Sequence, residues 1–258
     1  LRQALHLSRL YLTSQLRRQL HLATLVLALV LALLPTYVEA FSMGTNAFER
    51  VSKEFGITLI TYFAVGLAIL LGSTSLRRDL ESRAVAPLLA RPISRGAYLL
   101  AHFLSMATML GASVLLLDAC LTLALAQKTG HLDSQISQAL LGAFLQAAIV
   151  ASFCLLASVR CSPPLAGTIG AAVFLIGSMS AAFINFFLVE DRGSQAAAGL
   201  ANGLKALLPN LALFDLKDAA VHEVLLPSGY MAAISFNAAA WIVLTLLLGR
   251  ILLQRMDL

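Results

Sequence analysis

Six stretches of the chain run for twenty residues or more without Asp, Glu, Lys or Arg: 19–38, 55–76, 96–117, 134–159, 161–189 and 224–249. Their apolar residues are continuous rather than alternating, which excludes a porin-like barrel. About 20 apolar residues cover a hydrocarbon core of roughly 30 Å. No water is available there to satisfy a stray peptide group, so each run is expected to be helical throughout. The pattern predicts an all-α polytopic membrane protein with six transmembrane helices, folded as one domain over residues 1–258. A seventh charge-free run, 193–204, is too short to span and contains Ser194, Gln195 and Asn202.

Between the spans, two segments carry patterns of their own. In residues 1–18, Arg2, His6, Arg9, Thr13 and Arg17 recur at steps of three and four, while Leu5, Leu12 and Leu16 fall on another face. That periodicity predicts an interfacial amphipathic helix. Arg2, Arg9, Arg17 and Arg18 would then rest on anionic lipid; the plainer reading is a basic anchor. No small-residue cleavage site follows the apolar run, so the segment is not expected to be a signal peptide. In residues 77–95, five arginines and two acids accompany Leu80, Ala84 and Leu88 at i, i+4 and i+8. Pro87 and Pro92 punctuate this segment, and Ser94 is placed to N-cap the next helix. It reads either as a basic loop or as a structured surface for a partner.

Composition settles the class and charge sets the orientation. The chain is 59% hydrophobic with a mean hydropathy of +0.86 and only 12% charged, against about 25% charged in an average globular chain. A water-soluble protein of this size could not cover its surface that way. Twelve of the 18 basic residues lie in the N-terminal segment, in 77–95, at Arg160 and at Arg250 and Arg255. By the positive-inside rule these segments, and hence both termini, are cytoplasmic. The formal net charge of +5 is then mostly an orientation signal, and no nucleic-acid partner is expected.

Several chemistries are missing. There is no phosphate-cradling Gly-x-x-x-x-Gly-Lys-Ser/Thr loop and no His-Glu-x-x-His pair. His6, His21, His102, His131 and His222 are scattered, and Cys120, Cys154 and Cys161 lack metal-ligand spacing. No metal site and no catalytic residue are expected. Asp118 and His102 are expected near opposite interfaces rather than at the midplane. Gln146 and Asn185 are among the few strongly polar residues in the spans, which suits an amphipathic or lipid-like cargo better than an ion or a sugar.

The stretch from Arg78 to Phe103 resembles the signature of the ABC-2-type permeases, the membrane subunits of one class of ATP-binding-cassette exporters. It supplies Asp79, Glu81, Leu88-Leu89, Pro92-Ile93-Ser94-Arg95 and Tyr98-Leu99-Leu100. Arg83-Ala84 and Ala101-His102 stand where that family often has Gly-Thr or Gly-Ser and Gly-Lys. Leu208-Pro209-Asn210-Leu211 through Phe214 resembles a phrase of the copper-enzyme-maturation and gliding-motility permeases.

The resemblance implies a cytoplasmic coupling helix within 77–95 that docks on a separate ATPase. Arg77, Arg78, Asp79, Glu81, Arg83, Arg91 and Arg95 would be its polar contacts, and Leu88, Leu89 and Pro92 its apolar and turn positions. It also implies short exoplasmic helices within 190–223, at Ala196–Leu208 and Phe214–Leu225, with Pro209, Asn210 and Phe214 as the exoplasmic motif. The implied function is the permease subunit of an ATP-driven exporter in a bacterial inner membrane. ATP and Mg would sit on the partner ATPase, and a second permease copy would complete a homodimer. The chain itself would not be an enzyme. The rival is a proton-coupled secondary transporter without an ATPase.

Overall fold

The structure is a computed structural model that describes residues 20–42, 47–81, 95–179 and 209–254. Seven α-helices lie within these residues: α1 (Leu20–Ser42), α2 (Ala47–Glu81), α3 (Arg95–Thr129), α4 (Ser134–Ser158), α5 (Pro163–Ser178), α6 (Lys217–Val221) and α7 (Tyr230–Gln254). One 3-10 turn, Leu211–Phe214, precedes α6.

The expected six spans are not what the described residues form. Four helices are long and apolar enough to cross a membrane, within Phe48–Leu76, Gly96–Thr129, Ser134–Ser158 and Tyr230–Gln254. The other two apolar helices, Leu22–Val38 and Pro163–Ser178, are shorter. A charge-free run marks where charge is absent, not where a helix ends, and the two boundaries separate here in both directions. Helix α5 stops at Ser178, inside the run that continues to 189, because the backbone turns at Met179 (φ −87°, ψ 2°). Its 16 residues reach about 24 Å, short of a roughly 30 Å core. Conversely, α2 and α3 have 35 residues each, about 52 Å long, and carry their charges on helical turns at either end.

Helix α4 is the centre of the bundle. It runs parallel to α2, with Lys53 of α2 meeting Asp133 at the start of α4 and Gly72 of α2 meeting Cys154 and Ala151 near its end. Helix α3 runs antiparallel to both, so that Leu121 lies on Gly56 while the Ser75 hydroxyl meets the Met106 sulfur at 3.6 Å. Helix α5 closes on the same seam, where Gly170 leaves room for Cys154. Helix α7 crosses with Gly249 against Leu99. Apolar side chains gain little by leaving lipid for protein, so membrane helices associate through close packing of small residues. Many buried residues of α4 are of this kind, Ala139, Gly142, Ala143, Ala147, Ala148, Ala151, Ser152 and Cys154, set among the larger Ile136, Leu140, Ile149, Val150 and Leu155.

Several hydroxyls along the spans are satisfied locally. Thr61, Ser152 and Ser158 donate to the carbonyls of Ile57, Ile149 and Leu155 at 2.7–2.8 Å. Such back-bonding lets a hydroxyl sit in a bundle core without an unpaired group.

Candidate functional site, a charged cap over a glycine-seated turn

The two ends of the bundle differ in character. At the near end, α2 stops and α3 starts, the α4–α5 turn carries Arg160, and the Arg250 side chain of α7 lies beside Gly96 in the first turn of α3. Of the positions expected to couple to an ATPase, Arg77, Arg78, Asp79 and Glu81 lie in the closing turns of α2, and Arg95 is the first residue of α3. Arg83, Leu88, Leu89, Arg91 and Pro92 lie outside the described residues, as do Arg2, Arg9, Arg17 and Arg18.

At the far end, charge is gathered around one lysine. Lys53, 1% exposed, sits 2.7 Å from Glu49 one turn earlier on α2 and 2.7 Å from Asp133. Glu223, just past α6, approaches it at 3.5 Å. A buried ammonium without partners would be costly, whereas one held by close carboxylates keeps its charge. Asp133 works with both oxygens. One accepts from the Gln135 backbone N–H at 2.9 Å as the N-cap of α4, and the other pairs with Lys53. The same carboxylate therefore starts α4 and pins it to α2. Around this core, His131 lies 3.6 Å from Glu49 and Lys217 lies 3.8 Å from Glu54.

Below the lysine, irregular backbone enters the bundle. Gly142 lies about 12 Å along α4 from its first residue, and the Phe214 carbonyl oxygen rests directly on it, where any Cβ would collide. On α5, Gly177 receives Leu211, whose side chain would come within 2.8 Å of an added Cβ. Leu211 and Phe214 are buried, and the Tyr230 hydroxyl donates to the Leu213 carbonyl at 2.8 Å. Non-helical backbone at membrane depth is tolerated where protein surrounds it, and two glycines make the surroundings fit. Beneath the turn, the Gln146 amide donates to the Ser178 hydroxyl at 3.4 Å, and that hydroxyl donates to the Phe174 carbonyl at 2.7 Å.

The expected exoplasmic motif thus has a concrete place: Pro209 and Phe214 are buried, and Asn210 is exposed at the head of the 3-10 turn. The expected piece Ala196–Leu208 lies outside the described residues. The expected helix Phe214–Leu225 is instead a 3-10 turn ending at Phe214, followed by the five-residue α6.

Residues 12–258 match the protein family described as "ABC-2 family transporter protein". The chain belongs to that family. A search of curated proteins returned no match. The membership makes this ABC-2 protein a transporter membrane subunit and fits its long apolar helices as those of an integral membrane protein. Among the described residues, no group of three or more His, Cys, Asp or Glu is placed to hold a metal ion.

Asp118 accepts from the Ser137 hydroxyl at 3.2 Å, and α3 continues beyond it to Thr129. His102, 1% exposed, stacks edge-on with Tyr98 at 4.8 Å. Sequence reasoning did not single out Lys53, which reads as one more loop charge. The signal that could have found it is the i, i+4 pair Glu49–Lys53, which needs the helix to begin at Ala47 rather than at 55.

Proposed function

We propose that this chain is the permease half of an ATP-driven exporter, moved by ATPase subunits on separate chains. The family match over residues 12–258 carries the reading. Supporting it is the segment 77–95, with five arginines and two acids, joining two helices of 35 residues each. Rigid helices of that length carry a push at one end to the other, the form of rigid-body switching open to a bundle. In this reading the segment is cytoplasmic and docks on the ATPase. Arg77, Arg78, Asp79, Glu81, Arg83, Arg91 and Arg95 make the polar contacts, with Leu88, Leu89 and Pro92 as the apolar ridge and turn. Both termini face the cytoplasm of a bacterial cell, the Lys53 cap faces outward, and a second copy completes a two-fold dimer. The phrase Pro209–Phe214 points toward the copper-enzyme-maturation and gliding-motility permeases within the family.

The test is co-purification of the tagged full chain. An ATPase carrying a phosphate-binding loop should come down in stoichiometric amount. Glu81→Lys should cut its ATP hydrolysis from transport while leaving membrane insertion intact. Recovery of the chain with no ATPase, together with transport driven by a proton gradient, would overturn the reading in favour of a secondary carrier.

A further inference from the structure

The far end holds one contact that is far weaker than its neighbours, at a place where the backbone itself favours release. Lys53 is fixed by Glu49 and Asp133, each at 2.7 Å and both within α2 or the cap of α4. Its third partner, Glu223, stands at 3.5 Å with a side chain 65% exposed. With its carboxylate largely in solvent and at the longer distance, this third contact holds less strongly than the two close ones. Glu223 also has φ +55°, the single positive φ of a non-glycine residue among the described residues. A side chain at that angle is unfavourable and persists where surrounding contacts impose it.

What Glu223 closes is the segment 209–223. Leu211 and Phe214 are seated on glycines by packing alone, and apolar side chains that leave a bundle for lipid forfeit packing but little hydrophobic free energy. The return into α7 passes Gly229 at φ +90°, and the segment's further ties include the Tyr230–Leu213 hydrogen bond and the longer Lys217–Glu54 pair at 3.8 Å. Directly under the segment is the Gln146–Ser178 pair: Gly142 lies one turn from Gln146, and Gly177 adjoins Ser178. A weak ion pair, a strained residue and a glycine pivot thus bound a piece of irregular backbone that covers a polar contact between α4 and α5.

We propose that Lys53 and Glu223 form a releasable latch on the 209–223 segment, whose lifting opens the Gln146–Ser178 pair to the far side of the bundle. Lys53, held by its two close carboxylates, is the fixed half, and Glu223 is the moving half. The opened gap would pass the polar portion of an amphipathic cargo. The latch rests on the permease reading only in that last step.

The test uses the full chain in proteoliposomes, with Cys120 and Cys161 changed to serine. Cys154, 0% exposed, is kept as an internal reference, and Ala220→Cys reports on the segment from a position 1% exposed. Labelling by a membrane-impermeant maleimide is followed site by site. Glu223→Ala should raise labelling at position 220 by about two- to fivefold and leave Cys154 unlabelled, with Glu223→Gln intermediate. An unchanged rate at position 220 would overturn the latch. So would parallel labelling of Cys154, which means a loosened bundle. No ATPase is required, so failure here would leave the permease reading standing.

Discussion

Helices α4 and α7 have the same length, 25 residues, and each is apolar enough to cross a membrane, yet they occupy opposite environments. Helix α4 is buried over most of its surface, against α2, α3, α5 and α7. Helix α7 is buried along one stripe, Ile234, Ala238, Thr245, Gly249 and Leu253. Its Phe236, Val243, Leu244, Leu247, Leu248 and Ile251 are exposed. Hydropathy selects which segments enter the membrane, but it cannot rank them within it, because lipid and protein interior are equally apolar. Close-packing sites separate them: the Phe214 carbonyl rests on Gly142 of α4, and Cys154 of α4 meets Gly72 and Gly170, whereas α7 has one such seat, Gly249 against Leu99.

Four substitutions probe that contrast, each read as the midpoint of thermal unfolding in detergent. The largest loss is expected for Lys53→Met, which removes the cation anchoring Asp133 at the head of α4. Stranding one partner of a buried pair costs about 3–5 kcal/mol. A near-neutral Lys53→Met would mean that the cap contributes nothing to holding α4. Next comes Gly142→Val, which forces a side chain against the Phe214 carbonyl; overpacking of this kind costs about 1–3 kcal/mol. Gly142→Ala should fall between it and the parent, since even a methyl group meets that oxygen. Least is Phe236→Ala on α7, a surface change worth under about 0.5 kcal/mol. A loss matching that of Gly142→Val would show the outer face of α7 to be packed in solution.

Much of this was legible before the structure. The all-α membrane class followed from apolar runs, and the family followed from a resemblance centred on Arg78 to Phe103. The number of spans was not legible. Glu49 and Lys53 lie outside the charge-free run 55–76, yet they sit within α2, where they neutralise one another across a turn. Nothing in the run from 161 to 189 announces a stop at Ser178, where the chain gives way to a seat for Leu211. The seats themselves were illegible for a general reason. A glycine in a span reads the same whether it faces lipid, a helix or a carbonyl, and only the fold pairs Gly142 with Phe214 and Gly177 with Leu211. Phe214 was picked out by motif, but its depth was not.

Asp133 has a consequence for how the protein is made. A chain threaded into the membrane during synthesis delivers Lys53 one helical hairpin before its partner on α4 exists. Until then Glu49 is the one carboxylate within its reach, and the lysine has reason to stay among the headgroups, holding α2 high. Arrival of Asp133 supplies the second charge and lets α2 settle beside the newcomer, in the act that also starts α4. Glu223 follows 170 residues after Lys53, after α2 to α6 and ahead of α7. Biogenesis would therefore proceed from a provisional α2 to a committed one, with a single aspartate as the checkpoint between them.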